Sequence, residues 1–387
     1  MEPLACADKI ERVWFFHPSR ISLLMVIMFA VGCPSKHNDR ESITLNMREQ
    51  PFVKTERQIP KILDISDQDY EQIWSLAKLP NDEELGLSDI FHYLVLYSIR
   101  SEGYRKEIEH LISIIQDEET GKTVLGDPVF HSSKFGIAMV TGRTSRAQET
   151  HRDQGLAEFG LLGIPSTLEV KVDGRKRPLS DAIQECIANF YLQKRELAWS
   201  ATVLALYLPP QREWTNRFGE RCSFDLLVDE LLKRRFEDNS CAGAHLLEVL
   251  MLIYAVSLEE NILSYDTQKN LKEHLHTVLD VVLRGQHEEG YWRVDWFVDL
   301  PDYEMPFDRP HVWTPQDNAE SRLLATAHLL DWMLSLPEEF DVPDQTLLNA
   351  GQWMLDHLKT KTPERPPPIC PYGHAIRGLE LLSRENP

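Results

Sequence analysis

The chain has 387 residues, 42% of them hydrophobic, which is enough for one large or two medium globular domains with a real core. Neither its 18 glycines nor its 23 prolines reach the levels of a disordered chain. A net charge of -20 and a pI near 5.1 exclude a nucleic-acid footprint, because phosphate binding requires clustered Lys and Arg and the basic runs, such as GRKRP at 174 to 178, are short.

In chain order, the first feature is an apolar run of twelve residues, ISLLMVIMFAVG, between Arg20 and Cys33. It is too short to span a bilayer comfortably. The positive flank, the apolar core and the AVGC ending resemble the lipobox of bacterial lipoprotein signals. That resemblance implies a signal segment over residues 1 to 32, lipidation of Cys33, and an exported chain anchored to a membrane on its periplasmic or cell-surface side. A plain secretory signal or a short N-terminal anchor is the other reading, and it too means export. Residues 33 to 60 begin polar and unpatterned, as a flexible tether would, so the folded domain is expected over 61 to 387. Export leaves Cys186, Cys222, Cys241 and Cys370 where disulfides persist. Cys186 sits among apolar residues at helical spacing in DAIQECIANFYL and reads as core.

From residue 60 onward, apolar residues recur at three and four positions, in segments such as DIFHYLVLYSIRSEGY, LAWSATVLALYL, AHLLEVLMLIYAVSL and ESRLLATAHLLDWMLSL. The pattern predicts about a dozen helices. The alternating stretch at 167 to 180, with an Asp173-Gly174 turn, predicts at most one minor β-hairpin. Residues 244 to 256 and 323 to 336 are apolar nearly all round, whereas 225 to 236 and 268 to 283 carry charge along one face. Buried inner helices alternating with amphipathic outer ones fit either a closed α/α toroid of about six helical hairpins or an open solenoid. No strict repeat period exists, and irregular loops at 118 to 148 and 290 to 316 favour the toroid.

QHEEGYW, Gln286 to Trp292, resembles the Gln-x-x-x-Gly-x-Trp core of the repeat motif of squalene and other terpenoid cyclases. The resemblance implies the α/α-toroid fold. It also suggests a structural clasp, in which Gln bonds backbone at the next helix start and Trp covers the turn made by Gly. The acidic Asp-x-Asp-Asp motif with which those cyclases protonate substrate is absent, so their activity does not carry over. SCAGAH, TAHLLDWM and CPYGHA together look similar to segments of uncharacterised exported bacterial proteins with toroid-type patterns.

The arrangement Cys-x-x-x-His occurs twice at a predicted helix start, as Cys241 with His245 and as Cys370 with His374. The i,i+4 spacing puts each pair on one helix face. If the inner helices run parallel, the two pairs meet at one mouth of the ring and supply the Cys2His2 set that zinc accepts. Protein prenyltransferases and lanthionine cyclases, which share the toroid, hold catalytic zinc with such ligands, although neither motif is reproduced here in sequence order. A Cys241 to Cys370 disulfide, separate structural thiols and a metal-free pocket lined by the histidines remain open alternatives.

His151 and Asp153 before one apolar helix, and His328 inside another, are further catalytic candidates. Trp214, Asn216 and Glu220 are candidates for polar-ligand contact in a loop that is otherwise a cap. The aromatic-rich and Asp-rich stretch 290 to 313, with Asp295, Asp299 and Asp302, has a composition typical of carbohydrate-facing loops. The expected function is therefore an exported enzyme using the toroid cavity, either with a Cys/His metal site, for which zinc is the candidate ion, or with carboxylates acting on a glycan; its small-molecule or glycan substrate is not identified. The alternative is a noncatalytic lipoprotein that binds a ligand or partner through the same face.

Overall fold

The computed structural model describes residues 47 to 52, 57, 61 to 301, 303, 317 to 362 and 369 to 384. The signal segment, Cys33, most of the tether and Asp302 lie outside the described residues. Packing begins earlier than residue 61, because residues 47 to 52 dock on the body of the fold. The Arg48 and Phe52 amides donate to the carbonyls of Tyr207 and Leu206 at 2.7 and 2.9 Å, and the Phe52 ring is buried.

Thirteen α-helices lie among the described residues: α1 Asp67–Leu76, α2 Leu87–Ser98, α3 Arg105–Gln116, α4 Glu118–Leu125, α5 Gln154–Leu161, α6 Ser180–Ala188, α7 Leu197–Tyr207, α8 Phe224–Leu231, α9 Ala244–Glu259, α10 Tyr265–Arg284, α11 Ala319–Leu334, α12 Asp344–Lys359 and α13 Ile369–Ser383. Side-chain oxygens cap several starts by taking orphan amides. Ser66 accepts from Asp69, Ser223 from Leu226, Ser264 from Thr267 and Asn318 from Ser321.

The contrast between helix types follows the sequence. Every residue of α7 is buried, and α9 and α11 are buried over most of their length, while α8, α10 and α12 bury one face each. With its preceding turn, α9 is long and apolar enough to cross a membrane by length and composition, but 72% of that stretch lies inside the fold. Each of six helices packs on two others of the set: α2 on α5, α5 on α7, α7 on α9, α9 on α11, α11 on α13, and α13 back on α2. Around them α3 packs on α2, α6 on α7, α8 on α7 and α9, α10 on α9, α12 on α11 and α13, and α1 on α12 and α13.

Among the described residues three antiparallel hairpins are present where one was expected. β3 Glu169–Val172 with β4 Arg175–Pro178 is the expected one, turning at Asp173-Gly174. β1 Phe130–Ser132 pairs with β2 Ile137–Met139, and β5 Glu213–Thr215 with β6 Arg221–Ser223. Strands of three residues are too short for period-two alternation to register in a sequence.

The Gln-x-x-x-Gly-x-Trp segment acts as a clasp. Gln286 Nε2 donates to the carbonyls of Gly290 at 3.0 Å and of Thr346, in the first turn of α12, at 2.9 Å. The fully buried Trp292 donates Nε1 to the Val282 carbonyl at 2.6 Å. Gly290 has φ +102°, and a Cβ there would lie 2.2 Å from the Asn349 carbonyl oxygen, so only glycine permits the turn.

Candidate metal centre

Both Cys-x-x-x-His pairs come together. Cys241 stands in a 3-10 turn ahead of α9, in which Cys241, Ala242 and Gly243 all have positive φ, at 52°, 54° and 79°. This left-handed run is costly for the two non-glycine residues and holds the thiol off the helix axis. Phe236 closes over Gly243, where a Cβ would meet its side chain at 2.7 Å, and Trp296 Nε1 donates to the Ala242 carbonyl at 3.0 Å. Cys370 is extended, with φ -94° and ψ 125°, so the regular part of α13 starts after it.

Two more histidines complete the cluster, His328 from mid-α11 and His92 from α2. Candidate ligand atoms of Cys241, His245 and His328 lie within 4.8 Å of one another, and so do those of His92, Cys370 and His374. The two groups adjoin, since the His328 and His374 ring centroids are 4.1 Å apart and the Cys370 thiol touches the Cys241 thiol and both His328 and His92. Both thiols are free, so the expected alternative of a Cys241 to Cys370 disulfide is not formed.

Each ring is held from behind at Nδ1. The Ser88 carbonyl lies 2.7 Å from His92 Nδ1 and the Leu324 carbonyl 2.9 Å from His328 Nδ1. Glu248 Oε2 lies 2.8 Å from His245 Nδ1 and Asp331 Oδ2 2.7 Å from His374 Nδ1. Backing of this kind fixes the Nδ1–H tautomer and turns a basic Nε2 toward the cluster. His328 is fully enclosed, and its Nε2 makes no hydrogen bond although the Cys370 thiol lies beside the ring. A buried imidazole nitrogen that makes no hydrogen bond is costly unless something electrophilic meets it.

Charge is concentrated here. Contact with the Cys241 thiol, opposed by burial and reinforced by His328 and His92, holds the Cys370 thiol well below its ordinary value. Burial opposes ionisation of Asp331, but Arg377 and His374 outweigh it and bring the carboxyl down to about 2. Burial likewise opposes Glu248, and His245 brings it down to about 2. Glu158 of α5 goes the other way, because burial pushes it up to about 7 against the pull of His92.

A cavity of about 190 Å³ opens onto the cluster. Glu158, His245, Glu248, Asp331, His374 and Arg377 make its polar end. Val95, Ile99, Leu162, Met251 and Leu252 line much of the rest, with the Trp199 ring tilted against His245 at 4.3 Å between centroids.

Of the remaining candidates, only His328 belongs to the cluster. Trp199 stands between His151 and His245, so His151 faces another network and pairs with Glu196 at 2.6 Å. Asp153 has φ +66° and is buried with Lys194, whose Nζ lies 2.8 Å away, and with the Ser200 hydroxyl. These partners make it a structural ion pair rather than a group facing the cavity. Asn216 ties the β5–β6 turn together through the amides of Phe218 and Glu220, Trp214 is buried, and Glu220 accepts from Asn216. The loop is a cap. In the aromatic stretch, Tyr291, Trp292, Trp296 and Phe297 are buried core, Tyr303 is only partly buried, and Asp295 pairs with Arg293. Cys186 is buried core, as expected.

Sequence reasoning missed His92, Glu158, Glu248 and Asp331. Their shared signal is a polar group inside an otherwise apolar helix, as in DIFHYLV and HLLDWM. No family model, curated protein or solved structure matches the chain.

Proposed function

We propose that the chain is an exported, membrane-tethered metalloenzyme built as an α/α toroid, with zinc held by the Cys/His cluster at the floor of its cavity. The circuit of six mutually packed helices with amphipathic helices outside them supports the toroid. The observation that carries the metal is the convergence of two thiols and four imidazoles in two adjoining three-residue sets, with His328 Nε2 buried and making no hydrogen bond. Donors of this softness suit zinc, and rings backed by carboxylate or carbonyl are the usual support of such an ion.

When bound, zinc supplies Lewis-acid polarisation of a substrate oxygen. The chain's own residues do the rest. Asp331 and Glu248 orient His374 and His245. Glu158, with its carboxyl raised to about 7 by burial, is placed to give or take a proton at the polar end of the cavity near neutral pH. The aliphatic wall excludes water and accepts the apolar part of a small molecule, which favours such a substrate over a glycan.

Turnover of ester, amide, phosphoester and glycoside panels by the zinc-loaded chain tests the enzyme. Glu158→Gln should lose turnover while keeping its zinc. Zinc binding with no turnover on any panel would replace this reading by the noncatalytic ligand-binding one. The tether rests on the AVGC run alone, and Cys33→Ala should move the chain from the membrane to the soluble fraction. Retention of that variant on membranes would make the apolar run itself the anchor.

A further inference from the structure

Six donors converge where one tetrahedral ion needs four, and they divide evenly. Cys241 and His245, at the start of α9, join His328 from α11. Cys370 and His374, at the start of α13, join His92 from α2. In each case the third ligand comes from the next helix of the circuit, since α9 packs on α11 and α13 on α2. The supports behind the rings match as well. Each triad has one histidine bonded to the carbonyl four residues earlier, His328 to Leu324 and His92 to Ser88. Each has one backed by a carboxylate, His245 by Glu248 and His374 by Asp331. The repeated motif thus builds the same three-ligand set twice.

We propose that the cluster is a binuclear centre: one divalent cation on Cys241, His245 and His328, a second on His92, Cys370 and His374, with the two thiolates adjoining between them. This rests on the metal reading above and goes beyond it in number and assignment. Three protein ligands per ion is the pattern of a site that keeps a position open for substrate, whereas a purely structural site closes with four. A single Cys2His2 ion on Cys241, His245, Cys370 and His374 would leave His92 and His328 unused, although each completes a three-residue ligand group.

The test is a count. The full chain is stripped of metal under reducing conditions and titrated with Co2+, following thiolate-to-cobalt absorption, and the zinc-reconstituted chain is weighed by native mass spectrometry. Two ions per chain are expected in the wild type. His92→Ala and His328→Ala should each hold one, with half the cobalt absorption. One ion in the wild type that both variants retain would overturn the binuclear assignment and leave a mononuclear site. No ion at all would overturn the metal reading itself. The mass of the wild-type chain decides the number even if either variant fails to fold.

Discussion

Asp331 on α11 clamps α13 at two points, with one carboxylate oxygen 2.7 Å from His374 Nδ1 and the other accepting from Arg377 at 2.7 Å. The carboxylate therefore sets both the tautomer of a ligand and the position of the guanidinium that offsets the buried charge. Asp331→Asn keeps the shape but weakens the acceptor, and should reduce zinc affinity roughly 10–100-fold. Competition with a chromophoric chelator measures this. An unchanged affinity would mean that His374 is not a ligand.

The pair Lys194 and Asp153 is buried, with side chains 7% and 10% exposed. Lys194→Met leaves the carboxylate enclosed without a partner and should cost about 3–5 kcal/mol at pH 7. Burial opposes the Asp153 charge, but Lys194 and Ser200 outweigh it and lower the carboxyl. A lowered acid stabilises the fold above its unfolded value, about 3.9, and that contribution disappears as pH falls through the folded value. Lys194 is raised, by Asp153 against burial, so its share is complete below about 10.4 and disappears only as pH rises beyond that. The deficit of Lys194→Met should thus shrink in acid, where Asp153 can be neutral. Urea unfolding at pH 7 and pH 4 compares the two, and equal deficits at both would contradict this account.

Trp292→Phe retains most of the buried ring surface but leaves the Val282 carbonyl without its donor, at a cost of about 1–3 kcal/mol. Trp292→Ala adds a cavity and should cost about 3–5 kcal/mol. Metal content should survive Trp292→Phe, because the clasp joins α10 to α12 and touches no ligand. Loss of metal in that variant would tie the clasp to the site.

How far the sequence reveals these features depends on what periodicity and composition encode. All-round apolar helices such as α9 and α11 announce burial, so the inner helices are readable from sequence. Paired Cys-x-x-x-His announces its own face, because i,i+4 spacing is a local geometric fact. His92 is not readable in this way, since its closeness to Cys370 depends on the packing of α13 against α2 across nearly the whole chain. His151 and Asp153 mislead for the opposite reason, as adjacency in sequence does not show that Trp199 stands between His151 and the cluster or that Asp153 is buried against Lys194. The aromatic loop misleads because composition cannot distinguish rings that face a ligand from rings such as Trp292 and Trp296 that fill a core.

The two free thiols provide the last prediction. Cys370 is held in its nucleophilic form by contact with Cys241 and by His328 and His92, which burial does not offset, and Cys241 lies against it. With metal bound, both sulfurs are committed and should resist oxidation. With metal removed, oxidised glutathione should accept two electrons from the pair, forming a Cys241 to Cys370 disulfide and two molecules of reduced glutathione. Peptide mapping by mass spectrometry would find the two peptides joined, while Cys186 and Cys222, whose thiols burial pushes up, stay reduced. Cys241→Ser should leave Cys370 as a mixed disulfide with glutathione. Zinc added before the oxidant should prevent the link. Equal oxidation of Cys241 and Cys370 with and without zinc would show that their sulfurs do not hold metal.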